Sequence, residues 1–266
     1  MSAALDREWT RFTPAERMAR FAVYLACVVA IVWSIRTIEI IPEFLYDAPE
    51  QMADLLTRMW PPDVEYYPTD IHSALVETLH IATLGTILTL VAAVPLGVLA
   101  ARNIVPWWPV NSAAQLLLVA SRSVNSLVWA LLFVAVFGPG ALAGTMAIAA
   151  RSVGFVGKLL AEALEETHNG PIEALRAAGA PWGAILLKGY WPQVQPAFWG
   201  IALFRWDINV RESAILGLVG AGGIGVALDD AINYFYWDRV AMVLVTVFAV
   251  VVIAEILVTQ IRKRII

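Results

Sequence analysis

A chain of 266 residues, 60% hydrophobic and only 15% charged, is too apolar for an ordinary soluble domain, where about a quarter of residues carry charge. The composition therefore predicts a membrane protein, an all-α polytopic helical bundle of one domain over residues 1–266 that crosses a bilayer several times. A net charge of −4 gives no reason to expect nucleic-acid binding, and the single cysteine, Cys27, excludes an internal disulfide.

Six apolar stretches have about the 20 residues that an α-helix needs to cross a bilayer. We therefore predict about six transmembrane helices. They are Phe21–Ile41, Leu75–Ala101, Ala113–Phe137, Ala141–Leu160, Ala197–Val219 and Val240–Ile261.

The charges between the spans predict the orientation. Eleven Lys and Arg lie on one side of the predicted bundle: before the first span, after the second, between the fourth and fifth and after the last. The opposite side has only Arg58 and Arg239, together with acidic residues concentrated between Pro42 and Asp70. Because basic residues mark the cytoplasmic side, we predict that both termini are cytoplasmic. Residues 1–20 are then a cytoplasmic segment and 42–74 an extracytoplasmic loop, in which Gln51–Met59 could form a short surface helix.

A long cytoplasmic loop, 162–196, separates the fourth and fifth spans. Asn169-Gly170-Pro171 predicts a turn, Ile172–Ala178 a short amphipathic helix, and Gly179-Ala180-Pro181 its end. Such a helix suits a groove on a partner protein, although a surface helix that only caps the bundle fits the periodicity equally well.

Several charged residues lie within predicted spans, where charges usually face a partner, a cavity or a transport path. On a helical wheel Arg205, Asn209, Glu212 and Ser213 share one face, whereas Asp207 and Arg211, four residues apart, can pair with each other. Two readings stay open: a path with a surplus of arginine that attracts an anion, or ion pairs that hold the helices in register. The candidate path residues are Arg122, Ser123, Asn125, Arg151, Arg205, Asn209, Arg211, Glu212 and Ser213.

The cytoplasmic loop resembles a motif of binding-protein-dependent ABC importer permeases: Glu-Ala-Ala, three residues, Gly, nine residues, Ile-x-Leu-Pro. Glu173, Ala174, Gly179 and Pro192 stand at matching positions, and Leu175 replaces the second Ala. Gly189 and Trp191 stand where Ile and Leu are usual. Four runs are similar to the phosphonate importer permeases, although Asn125 replaces an expected proline. These runs are Trp129–Val134, Gly154–Leu159, Glu173–Ala180 and Ile208–Gly225.

This resemblance implies the permease subunit, in the plasma (inner) membrane, of an ATP-driven importer for phosphonate or a related phosphorus oxyanion, phosphate or phosphite. The implied partners are a second permease copy in a homodimer, two ATP-binding cassette subunits at the cytoplasmic face and an extracytoplasmic binding protein. ATP and Mg²⁺ would be held by the ATPase, and this chain would bind no cofactor. The implied coupling helix comprises Glu173, Ala174, Leu175, Arg176, Gly179 and Ala180. The implied contact with the binding protein comprises the acidic loop and the glycine-rich segment with Gly220, Gly222, Gly223 and Gly225.

Other functions are weighed against this reading. A methionine-importer permease shares a looser form of the glycine-rich end, and an ion-driven transporter could use Asp207, Glu212 or Glu255 to carry protons. An enzyme is disfavoured because the sequence has no G-x-S-x-G and no P-loop, and its three histidines lack metal-ligand spacing. Gly220–Gly225 matches G-x-G-x-x-G formally, but no βαβ unit surrounds it.

Overall fold

The computed structural model describes residues 12–38 and 42–265, and every regular element within these ranges is helical. The predicted all-α class is therefore confirmed. The first five α-helices are α1 (Pro14–Thr37), α2 (Pro42–Met59), α3 (His72–Ala100), α4 (Trp108–Ser123) and α5 (Ser126–Phe137). The others are α6 (Ala141–Glu165), α7 (Asn169–Ala177), α8 (Trp182–Ile185), α9 (Trp191–Leu216), α10 (Ile224–Asn233) and α11 (Trp237–Ile265).

The chain divides into two compact units, one ending at Leu56 and one beginning at Thr57. The first unit contains α1, a 24-residue helix with no buried residue. Its start is fixed by a capping box, in which the Thr13 N–H donates to the Glu16 carboxylate at 2.9 Å and the Glu16 N–H donates to Thr13 Oγ1. Pro14 occupies the first turn, where a missing N–H costs nothing.

Three described helices are long and apolar enough to cross a membrane: Pro14–Thr37, Tyr67–Ala100 and Trp237–Arg264. The number rises to five if each of two bent helix pairs counts as one span. A bundle with several membrane-spanning helices is therefore confirmed. The number six and the orientation of the termini stay predictions.

Helix α6 is the centre of the second unit, where it packs against α3, α4, α5 and α9. Small residues permit this packing, as is usual where helices meet in lipid. A Cβ on Gly154 would collide with the Leu118 carbonyl oxygen of α4, and one on Gly85 of α3 would lie 2.7 Å from Ile148 Cγ2. The resulting close approach brings α6 side chains against polar groups of α3, α4 and α9.

The third predicted span, Ala113–Phe137, is wrong as a single helix. The chain turns by 92° between α4 and α5, with Val124 in an extended conformation and Asn125 as the N-cap of α5. The Asn125 side chain accepts from the Leu127 N–H at 3.1 Å. Trp129 Nε1 donates to the Ser121 carbonyl oxygen at 3.2 Å and so satisfies a carbonyl at the end of α4.

Other boundaries also differ from the prediction. The segment 42–74 contains the 18-residue α2, twice the length expected from Gln51–Met59, because Pro42 begins a helix rather than breaking one. Helix α9 begins at Trp191, six residues before the predicted span. The predicted cytoplasmic loop, 162–196, is therefore mostly helical. It comprises the end of α6, α7, α8, a π-helical turn at Leu186–Tyr190 and the start of α9.

Candidate functional site

A shared carboxylate joins two arginines in the interior of the second unit. Glu212 of α9 accepts from Arg205 Nη2 at 3.3 Å and forms an ion pair with Arg151 of α6. The pairing of Arg205 with Glu212, seven residues apart on α9, agrees with the polar face that the helical wheel predicts. Two arginines against one glutamate leave this cluster with one unbalanced positive charge.

Arg205 is held on every side by protein groups. Its side chain is only 5% exposed, its Nε donates to Ser152 Oγ at 2.8 Å, and its guanidinium lies 5.6 Å from the centre of the Phe155 ring. The hydroxyl of Ser152 in turn donates to Asn209 Oδ1 at 3.1 Å. Arg205 therefore ties α6 to α9 as part of the packed interior.

The same hydrogen-bond chain continues into α3. Asn209 Nδ2 donates to Thr86 Oγ1 at 2.8 Å, and the Thr86 hydroxyl donates to the Ala82 carbonyl oxygen. Asn209 and Ser152 are fully buried. The sequence did not identify Thr86 and Ser152 as part of this hydrogen-bond chain, since a single hydroxyl in an apolar helix gives no signal beyond its polarity. We call Thr86, Arg151, Ser152, Arg205, Asn209 and Glu212 the charge network.

Arg151 differs from Arg205 in two respects. Its side chain is 31% exposed, and its buried Nε has no hydrogen-bond partner in the described part of the protein. Glu212 is already neutralised by Arg205, so the charge of Arg151 exceeds what the network needs. Arg151 is the member best placed to serve an additional anion.

A second ion pair lies on another face of α9. Arg211 pairs with Asp207, as the spacing of four residues predicts. The Arg211 side chain is 46% exposed, whereas that of Asp207 is 8% exposed and its Oδ1 has no hydrogen-bond partner among the described residues. Ser213 is buried and donates to the Val210 carbonyl oxygen, so it is not joined to either charge cluster.

The remaining predicted path residues, Arg122, Ser123 and Asn125, are exposed at the break between α4 and α5. Ser121, next to them, bonds into the backbone of α6: its hydroxyl donates to the Ala150 carbonyl oxygen and accepts from the Gly154 N–H at 3.0 Å. These bonds lie on either side of Arg151 and fix the end of α4 beside the charge network.

The predicted coupling helix is α7. It begins at Asn169, earlier than expected, and ends in a Schellman motif, in which Gly179 has a φ of +71° and the Ala180 N–H donates to the Leu175 carbonyl oxygen at 3.0 Å. Glu173, Ala174 and Arg176 are exposed, as a contact surface requires, and Ile172 is buried.

Two residues that the sequence analysis did not assign a role hold α7 in place. Gln193 of α9 accepts from the His168 N–H at 3.0 Å and donates to the His168 carbonyl oxygen at 3.3 Å. A Cβ on Gly189 would lie 3.2 Å from Leu175 Cδ1, so this glycine, where the motif usually has Ile, lets α7 pack closely.

The glycine-rich segment after α9 forms a tight turn. Gly220, Gly222 and Gly223 have φ values of +80°, +82° and +76°, conformations that favour glycine. The Gly220 carbonyl oxygen accepts from the Gly140 N–H at 2.9 Å, and the Ile224 N–H donates to Thr78 Oγ1 at 2.7 Å. Gly225 has an ordinary φ, and a Cβ there would collide with the Ala214 carbonyl oxygen.

A cavity of about 480 Å³ opens beside this turn. The carboxylates of Asp70, Glu77 and Asp230 line it, together with Tyr66. Burial, and secondarily the Asp70 carboxylate, raises the pKa of the Tyr66 phenol, which is therefore uncharged at neutral pH. The surface around the cavity is acidic.

Comparison with known proteins gives consistent results. Residues 93–266 match the family model for the binding-protein-dependent transport system inner membrane component. The chain is 38% identical over 255 residues to the phosphate-import permease protein PhnE of Mycolicibacterium smegmatis, covering 94% of this chain and 47% of that protein. It therefore spans about half the length of that relative.

A second relative matches nearly end to end. The phosphite transport system permease protein PtxC of Stutzerimonas stutzeri is 35% identical over 248 residues, covering 93% of this chain and 89% of that protein. Among solved structures, the membrane chain of the MetNI methionine ABC transporter in an inward-facing conformation superposes with a TM-score of 0.61, covering 74% of this chain and 96% of that one. At 23% identity this likeness shows the fold alone.

Proposed function

Because this chain belongs to the family of binding-protein-dependent transport system inner membrane components, we propose that it is the permease subunit of an ATP-driven importer for phosphonate or a related phosphorus oxyanion. The observation that carries this proposal is the similarity, over more than nine-tenths of the chain, to permeases named for phosphate and phosphite. The positive charge left over in the charge network supports it independently, because a cationic interior favours an anionic substrate.

The translocation path that we propose runs beside the charge network and the break between α4 and α5. Arg151 and Arg122 are the cations that would meet the substrate, since both are at least partly exposed. A guanidinium matches the geometry of a phosphoryl group, with which it can form two parallel hydrogen bonds. Arg205 has a different role: its partners leave it no free face, so it holds Glu212 and Ser152 in position. The other predicted path residues divide in the same way. Ser123, Asn125, Arg211 and Glu212 are at least partly exposed and would line the path, whereas Asn209 and Ser213 are fully buried and would hold their neighbours in position.

The partners that we propose follow from membership of this family. Two permease copies would form a homodimer with the path at its twofold axis, and two ATPase subunits would bind the cytoplasmic face through α7. Two observations support α7 as a rigid contact surface. Its side chains Glu173 and Arg176 are exposed, and a hydrogen bond from the His168 N–H to Gln193 holds its start against α9. ATP and Mg²⁺ would be bound by the ATPase, with no cofactor on this chain. An external binding protein would dock on the glycine-rich turn and the acidic segment before α3, and both termini would be cytoplasmic.

ATP hydrolysis by the assembled complex tests this function. The chain is reconstituted in lipid vesicles with its ATPase and its binding protein, the latter loaded with methylphosphonate, phosphate, phosphite or methionine. We expect hydrolysis to rise only with the phosphorus oxyanions. Stimulation by methionine alone would overturn the substrate assignment, whereas uptake driven by a pH gradient without ATP would indicate an ion-driven transporter.

A further inference from the structure

Helix α2 separates apolar and acidic residues onto opposite faces. At about 100° per residue, eight of its apolar residues fall within an arc of about 140°, and Pro42, Tyr46 and Ala53 lie within about 60° beyond one edge of that arc. Four of the eight are exposed in the structure, with Phe44, Leu45, Met52 and Leu56 between 59% and 67% accessible. The apolar arc comprises Phe44, Leu45, Ala48, Pro49, Met52, Leu55, Leu56 and Met59.

The acidic residues of α2 form an equally well defined stripe. Glu43, Asp47, Glu50 and Asp54 lie within about 60° of one another on the wheel, and the middle of this stripe is about 160° from the middle of the apolar arc. Arg58 is the single basic residue of α2. The helix therefore has one face suited to a hydrocarbon boundary and one suited to water.

The position of α2 in the chain indicates which apolar environment covers the arc. Helix α1 is long and apolar enough to cross a membrane, and its last turns carry Trp33, which is 72% exposed, and Arg36. Trp and Arg are typical of the ends of membrane-spanning helices. Four residues, 38–41, separate α1 from α2, so the last residue of α1 and the first of α2 can be at most about 18 Å apart. Helix α2 must therefore begin at the membrane surface where α1 ends.

We propose that α2 lies in the plane of the membrane surface, with its apolar arc in the boundary between headgroups and acyl chains and its acidic stripe facing water. The length of α2, 18 residues, corresponds to about 27 Å, so the helix would cover a strip of surface beside α1. Trp60, which directly follows α2 and is 76% exposed, provides an interfacial residue at its other end.

The charge of α2 distinguishes this attachment from the usual one. Interfacial helices commonly carry Lys and Arg, which attract anionic lipids. Helix α2 has four carboxylates and one arginine, so its net charge repels anionic lipids instead of attracting them. The attachment must therefore depend on burial of the apolar arc. Association therefore requires no anionic lipid.

The test uses fluorescent labels on the two faces of α2 in the full chain. Met52→Cys and Glu50→Cys, which lie on opposite faces, are made separately in a Cys27→Ser background, labelled with an environment-sensitive dye and reconstituted in zwitterionic vesicles. We expect the label at 52 to emit at shorter wavelength, to be quenched by a lipid carrying a shallow nitroxide and to be protected from aqueous iodide. The matched label at 50 is expected to respond to iodide and not to the nitroxide.

Three results would overturn the proposal. Equal quenching of both labels by iodide would mean that the apolar arc faces water. Protection of the label at 52 from both quenchers would mean that protein, from a second copy or a partner, covers the arc. Loss of nitroxide quenching at 52 unless anionic lipid is added would contradict an attachment based on apolar burial.

Discussion

Replacing Glu212 by leucine is expected to destabilise the protein more than replacing either arginine that it binds. In Glu212→Leu, Arg205 and Arg151 keep their charges in the interior without an anion between them. Removing one partner of a buried ion pair costs about 3–5 kcal/mol, because the other charge is left uncompensated. In Arg151→Leu or Arg205→Leu the carboxylate keeps its other arginine, so the loss is that of a charged hydrogen bond, about 1.5–3 kcal/mol.

Thermal unfolding of the purified chain in detergent measures this order. The midpoint should fall furthest for Glu212→Leu, and the double variant Arg205→Leu/Glu212→Leu should lose less than the sum of the single losses, because the two residues interact directly. Lys158→Leu is a suitable control, since its ion pair with Glu162 lies outside the network and neither side chain is buried. An equal or smaller loss for Glu212→Leu than for Arg151→Leu would refute the view that one carboxylate serves two arginines.

Three further predictions concern transport, coupling and the α4–α5 break. Arg151→Gln should lower uptake of phosphorus oxyanions by the assembled complex about tenfold or more, corresponding to about 1.4 kcal/mol of lost interaction with the anion. Its unfolding midpoint should fall by no more than the loss of one charged hydrogen bond to Glu212 requires, and Arg205→Gln, which loses the same kind of bond, is the matched control for that stability loss. Unchanged uptake in Arg151→Gln would exclude Arg151 from the path. Glu173→Lys should leave the chain in the membrane but weaken its binding to the ATPase. Co-purification with the ATPase and ATP-driven uptake should therefore both decrease. Wild-type values of both measurements would mean that α7 does not contact the ATPase. Asn125→Ala should lower the free energy of unfolding by about 1 kcal/mol because α5 loses its N-cap, whereas the serine of Asn125→Ser keeps a capping side chain. Equal unfolding midpoints for the two variants would contradict the capping role.

Charge pairing within one helix could be predicted from the sequence. The Asp207–Arg211 pair and the shared face of Arg205 and Glu212 follow from helical periodicity alone, which depends only on spacing. The end of α7 could also be predicted from the sequence, because glycine is the usual residue in the left-handed conformation that ends a helix. Gly179 has this conformation in the structure. These features are local, and the rules that predict them need no knowledge of neighbouring helices.

Contacts between helices could not be predicted. The run Ala113–Phe137 contains neither glycine nor proline, so hydropathy treats it as one span, and only Asn125 signals the cap at which the chain turns by 92°. Thr86 and Ser152 join the charge network because α3 and α6 approach α9 closely. Such contacts depend on tertiary packing.

The most direct test of the account is ATP-dependent uptake into vesicles that contain this chain, its ATPase and its binding protein. Labelled phosphonate, phosphate, phosphite and methionine are offered separately, with an ATPase variant that binds but does not hydrolyse ATP as the control. We predict accumulation of one or more phosphorus oxyanions, dependent on hydrolysis, and no accumulation of methionine. Accumulation of methionine alone, or of no substrate by an intact complex, would contradict the account.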